Sequence, residues 1–330
     1  MTKILITGGA GFIGYHLGKS LLEAGCHVEL MDNMVRGVLD RELEALIQHP
    51  RVRFIQADMR EPEALKNLGF DYHYIYHLAA IIGVAHILKR PFQVLSDNAT
   101  MMFNVLALAR EQSALQRLVF TSTSEVYAGT LNYFTLPIPT PESTPLAITD
   151  LKEPRTSYML SKIYGEALCH QSGLPFTIIR PHNFYGPRMG LSHVIPELLK
   201  RAHEAPFGGK LAVYSMSHRR TFCFIEDAVE IIRLLAEAPE GEGGTFNVGN
   251  QTPEVTIREL AEWIVKVVDK PLDLISQPET PGSPSRRCPD MSKTLSLTGY
   301  RSRFNLTRGL ELTYHWYRDT VFSGQGIFAI

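Results

Sequence analysis

The sequence predicts an α/β protein: a doubly wound parallel sheet followed by a smaller, loop-rich C-terminal lobe. Three observations predict it. Strand-like and helix-like segments alternate from residue 3 to about 180, the order of a parallel sheet covered on both faces. Glycines 8, 11 and 14 separate the first apolar run from the first helical segment. After residue 181 the alternation stops, and Pro and Gly thicken at Pro181, Gly186, Pro187, Gly190, Pro196, Pro206, Gly208 and Gly209.

The first run, Ile4, Leu5 and Ile6, is short and apolar, as a strand buried on both faces requires. Further strands are expected at 27–31, 52–56, 73–78, 117–122 and 175–180, with helices at 12–24, 39–48, 61–67, 94–112 and 157–172. The apolar run Thr221 to Ile225 and the helical segment to Ala236 return to the first lobe. The expected division is therefore 1–180, with a returning segment near 220–250, and mainly 181–330 for the second lobe. At 330 residues two lobes are also the natural prior.

The glycine spacing points to a dinucleotide. Gly8 permits a tight turn, Gly11 lets the backbone approach a pyrophosphate, and Gly14 lets the new helix pack on its strand. The N–H groups of Phe12 and Ile13, opening that helix, would face the phosphates. The second strand ends in Asp32, 18 residues after Gly14, where a carboxylate accepts both adenosine ribose hydroxyls and repels a 2′-phosphate. NAD is thus preferred over NADP, although Arg36 nearby weakens the discrimination. Asp58, Ala79 and Ala80 follow later strands and lie where adenine and ribose would pass. Close packing explains the two alanines equally well.

Composition narrows the function classes. Hydrophobic residues make up 45% and charged residues 20%, as in ordinary globular proteins. With 33 Lys and Arg against 34 Asp and Glu the net charge is −1, which gives no case for nucleic acid. Cys26, Cys169, Cys223 and Cys288 are far apart, so neither a disulfide framework nor a zinc site is suggested, and no His, Asp or Glu set has ligand spacing. A first strand beginning at residue 3 and the lack of a long apolar run lead to the expectation of a cytoplasmic protein with no membrane span.

Two stretches add chemistry: Thr121 to Tyr127 (TSTSEVY) at the end of the fifth strand, and Tyr158 to Lys162 (YMLSK) on the helix that follows. Tyr158 and Lys162 lie one turn apart on one helix face. An ammonium near a phenol, with an oxidised nicotinamide beside it, favours the phenolate, which can act as a general base.

TGGAGFIG, DN at 32–33, HLAA, TSTSEVY, YMLSK and RPHNFYGP, in this order and spacing, resemble the extended short-chain dehydrogenase/reductase family. The resemblance spans essentially the whole chain, including SPSRRCPD at 283–290. It implies a Rossmann-type fold, bound NAD, and a nucleotide-diphosphate sugar as substrate. By resemblance Tyr158 takes the proton from the sugar 4-hydroxyl, Thr123 hydrogen-bonds that hydroxyl, and Lys162 orients the nicotinamide ribose. The cofactor groove is expected to include Asn33, Met59, Leu78, Asn98, Ser122 and Pro181 as well. Asn183, Arg220 and Arg287 match positions that hold the diphosphate, with His193, Val194 and Asp290 expected at the substrate.

Oxidation at C4 gives a 4-keto intermediate, and its fate depends on Ser124 and Glu125. Ser124 stands where 4,6-dehydratases carry an acidic residue, so dehydration lacks its acid. Thr-Ser-Glu and Pro154-Arg155 resemble UDP-glucuronate decarboxylases, yet epimerase-like relatives also carry Ser-Glu. On sequence alone, 4-epimerisation stands ahead of decarboxylation to a UDP-pentose, and a catalytically idle NAD-binding scaffold is the remote rival. Apolar residues on several faces of 94–112 and 157–172, together with the resemblance, predict a homodimer through a four-helix bundle.

Overall fold

A computed structural model describes residues 1–66, 68–280 and 282–323. The chain begins β1 (Lys3–Thr7), α1 (Phe12–Glu23), β2 (His27–Asp32), α2 (Arg41–Ile47), β3 (Val52–Gln56), α3 (Pro62–Leu65), β4 (Tyr74–His77), α4 (Val84–Lys89) and α5 (Pro91–Arg110). It continues β5 (Arg117–Thr121), α6 (Ala128–Tyr133), α7 (Thr156–Gln171) and β6 (Phe176–Pro181). All the strands and helices expected before residue 181 are present; residue 67, the last of the helix expected over 61–67, lies outside the described residues. The helix expected from residue 94 starts earlier, at Pro91, because proline suits the first helical turn, where its missing N–H costs nothing.

The second half runs β7 (Phe184–Tyr185), α8 (Val194–Glu204), β8 (Lys210–Tyr214), β9 (Arg219–Arg220), β10 (Cys223–Phe224), α9 (Ile225–Glu237) and β11 (Gly244–Val248). It ends β12 (Val255–Thr256), α10 (Ile257–Val268), β13 (Asp273–Gln277), β14 (Arg286–Arg287), α11 (Ser292–Thr298) and α12 (Leu306–Tyr317). The strand expected over Thr221 to Ile225 shortens to β10 because α9 already starts at Ile225.

Seven parallel strands form one sheet in the order β11-β6-β5-β4-β1-β2-β3. Successive strand residues point to opposite faces, and the core divides accordingly. Ile4, Ile6, Val119 and Ile179 pack with Leu17 and Leu21 of α1 and Ile231, Ile232 and Leu235 of α9. On the other face Leu5, Ile75, Leu118 and Ile178 pack with Met101, Met102 and Val105 of α5 and Cys169 of α7. β11 pairs with β6 from Gly244 opposite Thr177 to Val248 opposite Pro181, so residues 225–248 complete the large sheet and one of its helical layers.

The strand order reverses at β1, which pairs with β2 on one side and β4 on the other. In open α/β sheets a ligand crevice opens at the carboxyl ends of the strands at such a point. In the second half α8, α10 and α12 pack together over the parallel pair β8 and β13. Thr256 starts α10 with a capping box, its hydroxyl accepting from Glu259 N at 3.1 Å while Glu259 accepts from Thr256 N at 2.6 Å. No described helix is long and apolar enough to cross a membrane.

Three imidazoles set an acid limit on this fold. Burial holds His16, His77 and His182 down to about 3, each from an ordinary value of 6.5. Between those values the unfolded chain binds the protons that the folded one refuses, so stability is full above the ordinary value and falls as pH drops below it. Urea unfolding at about pH 6.5 and about pH 5.5 should differ by about 1 kcal/mol for each histidine. His77→Gln and His182→Gln should flatten that slope; an unchanged slope would remove these residues as its cause.

Candidate active site

The floor of the crevice is the turn between β1 and α1. Gly8 and Gly9 donate to Met31 O at 2.8 and 3.1 Å, which ties the turn to β2. Gly8 has φ 74°, and a Cβ there would lie 2.8 Å from Ala79 N. A Cβ on Gly14 would lie 2.2 Å from Gly8 O, whereas Gly11 meets only Gly8 O, at 3.2 Å. Room above Gly11 is what a pyrophosphate needs. Gly11 begins α1 with no side-chain cap and no acidic residue in the first turn, so the helix presents its own N–H groups, Phe12 and Ile13 included, to an anion.

Asp32 is held from two sides. Its carboxylate accepts from Ala10 N at 3.1 Å and Met34 N at 2.9 Å, which leaves acceptor capacity for ribose hydroxyls. Burial raises its carboxyl, and those two N–H groups pull it back. Arg36 donates to Ile82 O at 3.4 Å and lies within electrostatic range of Asp32, Tyr158 and His193. Asn33 donates to Asp58 at 2.9 Å. Asp58 is gripped by Arg60, whose hydrogen bonds hold that carboxyl far below its usual range, and Arg60 reaches Asp97 of α5 at 2.7 Å. Met59 is 4% exposed and its carbonyl accepts from Asn104.

Leu78 N and Ala79 N bond Thr7 O and Thr7 Oγ1, at 3.1 and 3.3 Å. Leu78, Ala79 and Ala80 are half-buried along the groove wall. Asn98 holds the next turn, accepting from Ile81 N at 2.7 Å and donating to Ile81 O and Ser161 Oγ.

Beyond β5 the chain makes a tight turn at Ser124 to Tyr127, capped by Thr123, whose Oγ1 accepts from Glu125 N at 3.2 Å. That turn brings the Thr123 hydroxyl near the Tyr158 hydroxyl of α7, where it favours the phenolate. Ser124 is 7% exposed. Lys162, one turn after Tyr158, places its ammonium 6.0 Å from the Tyr158 ring and donates to Thr121 O at 2.8 Å.

The electrostatics differ from the sequence expectation. The ammonium near Tyr158 also donates to a carbonyl, and burial brings Lys162 itself down to about 8. Burial also pushes the Tyr158 phenol well up, opposed by Thr123 and Arg36 and reinforced by Glu125. The protein's own groups therefore leave Tyr158 protonated.

Charged side chains line the opposite wall. β14 runs parallel to β9 with Arg286 opposite Arg219 and Arg287 opposite Arg220. Alternation then sorts the four guanidinia into two outer and two inner. Arg286 and Arg219 share Glu254, at 2.7 and 3.6 Å. Arg287 crosses to Glu125 at 2.7 Å, and that guanidinium, ahead of Arg155 and Arg220, holds the Glu125 carboxyl below its usual range. Arg220 donates to Ser283 Oγ and Pro284 O, and burial brings it down to about 10.

The remaining residues named from the sequence have partners of their own. Asp290, expected at the substrate, accepts from Ser292 N at 2.8 Å and starts α11, because an acceptor there satisfies a free N–H of the helix. Ser122, expected at the cofactor, gives its hydroxyl to Glu166 of α7 at 2.5 Å and its N–H to Ile179 O at 2.8 Å. Asn183 has φ 45° and donates to Thr221 O at 2.9 Å, fixing the loop after β6. Pro181 closes β6 opposite Val248. His193 and Val194 are exposed where α8 begins, again without a side-chain cap. Beneath the site lies a pair that the sequence reading missed: Arg180 and Glu166, 2.6 Å apart and both buried. Glu166 follows Tyr158 and Lys162 at four-residue steps, a polar helix face that could have betrayed it. Among the described residues no His, Cys, Asp and Glu cluster is placed to hold a metal.

A glycine turn with room for a pyrophosphate, an Asp32 with free acceptor capacity at the end of β2, and a Thr, Tyr and Lys set at the carboxyl end of a doubly wound sheet fit an NAD-dependent enzyme. Residues 4–249 match the NAD dependent epimerase/dehydratase family, and the chain belongs to it. UDP-glucuronic acid decarboxylase 3 of Arabidopsis thaliana is 33% identical over 325 residues, spanning 94% of this chain and 87% of that protein. The UDP-N-acetyl-alpha-D-glucosaminuronate decarboxylase of Bacillus cytotoxicus is 30% identical over 332 residues, spanning 96% and 98%. Among solved structures, the UDP-glucuronic acid 4-epimerase of Bacillus cereus, in complex with UDP-glucuronic acid and NAD, superposes with a TM-score of 0.81 at 25% identity, covering 96% of this chain and 99% of that one. The cofactor is NAD.

Proposed function

We propose that this protein decarboxylates a UDP-linked hexuronate through a 4-keto intermediate, and we place this ahead of 4-epimerisation, reversing the order supported by sequence alone. The Glu125–Arg287 ion pair beside Tyr158 carries the reading. A hexuronate brings a carboxylate in addition to its diphosphate, and Arg155, Arg220 and Arg287 all act on Glu125. A 4-epimerase of a neutral sugar has no charge at C6 for such a wall to meet. The relatives at 30% and 33% identity, both decarboxylases by name, support the same choice.

In this mechanism Arg220 binds the diphosphate, with Asn183 shaping the loop beside it and His193 and Val194 lying against the nucleotide. Thr123 and Tyr158 hold the sugar 4-hydroxyl, and Tyr158 removes its proton. Bound NAD supplies the hydride acceptor and a positive ring that favours the Tyr158 phenolate. With C4 a ketone, the C6 carboxylate is β to it and leaves as CO2, its bonding electrons passing through C5 to the C4 oxygen. Glu125, kept ionised by Arg287, is a poor acid; its part is to fix the guanidinium at the carboxylate end of the sugar. C5 then takes a proton, and return of the hydride to C4, with Tyr158 giving its proton back to the 4-oxygen, leaves the nucleotide-pentose.

Mixing the protein with UDP-glucuronic acid or UDP-N-acetylglucosaminuronic acid should release CO2 and yield a nucleotide-pentose by mass. Interconversion of UDP-glucose and UDP-galactose with hexuronates untouched would overturn the reading. Glu125→Gln should let a reduced nicotinamide absorbance persist in a decarboxylase and change turnover only modestly in an epimerase. A hexuronate 4-epimerase is the second reading, favoured by the likeness to the Bacillus cereus enzyme; equilibration of UDP-glucuronic acid with its 4-epimer without loss of mass would establish it.

Assembly as a twofold dimer belongs to the same proposal. α5 and α7 pack against each other and leave Phe103 50% and Tyr164 41% exposed. Their rings meet edge to face at 6.1 Å, an apolar patch that a second copy would cover. Light scattering that shows a monomer at micromolar concentration would count against it. The four free cysteines support a reducing compartment such as the cytoplasm.

A further inference from the structure

We propose that Arg188 is a positioning residue that holds the 33–40 segment over the cofactor groove and so sets how long NAD stays bound. The inference rests on NAD occupying the groove above Gly11 and Asp32.

The segment follows Asp32 directly and lies on it. A Cβ on Gly37 would come 2.7 Å from Ala10 Cβ and 3.0 Å from Asp32 Oδ1. Arg36, one residue earlier, bonds Ile82 O in the loop after β4. Because β1 lies between β2 and β4 in the sheet, a segment running from β2 to that loop crosses above the glycine turn. Met34 and Asn33 hold its start, against the core and Asp58, but toward its far end Val35 is 73% and Leu39 43% exposed.

Its far end is held by Arg188, in the loop after β7. That guanidinium lies over the Tyr15 ring of α1 at 4.1 Å. It donates from Nε to Asp40 Oδ2 at 2.7 Å and from Nη2 to Val38 O at 3.2 Å. Glu42, 3.9 Å from Nε, in turn accepts from Trp316 of α12 at 2.9 Å. Asp40 Oδ1 caps α2 through Leu43 N at 2.8 Å, so the anchor is fixed from both sides.

The arrangement is costly. Arg188 has φ 66°, a left-handed conformation that arginine rarely adopts. Its Nη1 is buried without a hydrogen-bond partner among the described residues. An apolar side chain would fill the space over Tyr15 under the same backbone strain but without a buried unpaired N–H. What arginine alone supplies is the fork that reaches Val38 O and Asp40 together. Five residues further on the same loop arrives at His193, so the latch joins the cofactor groove to the loop proposed to meet the nucleotide.

Arg188→Met removes the fork and keeps the apolar stem. Exchange of bound NAD against isotope-labelled NAD should quicken by about tenfold to hundredfold, the loss of one charge-assisted hydrogen bond to the segment. The diluted variant should lose activity that added NAD restores, and Arg188→Lys should exchange at an intermediate rate. A folded Arg188→Met that exchanges NAD at the wild-type rate overturns the proposal, as does lost activity with NAD retained. Should Arg188→Met not fold, Asp40→Asn decides, since asparagine still caps α2 but carries no charge. It must also exchange faster, and a wild-type rate there overturns the proposal. Wild-type protein that binds no NAD at all would sink the cofactor reading itself, a different failure.

Discussion

Tyr158→Phe should fold, keep its NAD and lose about 10²- to 10⁴-fold in rate, the usual worth of a positioned general base. The structure sharpens the reason. Tyr158 is enclosed between Thr123 and the β5 end, and burial drives its phenol up, so the fold alone does not supply the base. Lys162 gives one of its three N–H groups to Thr121 O and lies 6.0 Å from the Tyr158 ring. The phenolate must therefore be favoured by the positive nicotinamide and by Thr123, which bonds the charged form better than the neutral one. Thr123→Val should accordingly lower the rate in the same direction as Tyr158→Phe, though less. NAD content after denaturation and far-UV circular dichroism check that only chemistry was removed. Full activity of Tyr158→Phe on the identified substrate would discard the mechanism.

How much of this was legible in the sequence follows from what each feature depends on. Ile4 to Ile6 read as a buried strand because a parallel strand must be apolar on both faces, and all three are at most 1% exposed. The glycine turn read correctly because each glycine answers a local steric demand. β11 did not read as a strand: Gly244-Thr-Phe-Asn-Val248 has no alternation of its own, and its partner β6 lies more than sixty residues earlier. Arg220 and Arg287 were named by resemblance, but that they lie opposite each other and apart from Arg219 and Arg286 depended on the pairing of β9 with β14. Asp290 and Ser122 share a feature that the sequence does not show. Each is a short polar side chain near the site that a closer acceptor or donor claims first, a helix N–H for one and Glu166 for the other.

Glu166→Gln should cost about 3–5 kcal/mol of stability, the usual penalty for stranding one member of a buried ion pair. Arg180 and Glu166 meet through two hydrogen bonds of 2.9 and 2.6 Å, and both side chains are nearly inaccessible. With the carboxylate gone, the guanidinium keeps the Tyr127 hydroxyl at 2.7 Å and Glu142 O at 3.2 Å, neither of which carries a charge. Against a total stability of about 5–15 kcal/mol that loss is a large share, readable as a shifted urea midpoint. Activity should fall as well, below the denaturing range, because Glu166 also receives the Ser122 hydroxyl. That bond ties the β5 end, which carries Thr123, to α7, which carries Tyr158 and Lys162; without it the two halves of the catalytic set lose a shared anchor. Arg180→Met combined with Glu166→Gln should recover stability relative to Glu166→Gln alone, since no charge is then left unpaired, yet leave the rate low. A Glu166→Gln protein with an unchanged midpoint would show that the pair does not hold the site. One whose rate recovers along with its stability in the double variant would show that the anchoring role assigned to Glu166 is wrong.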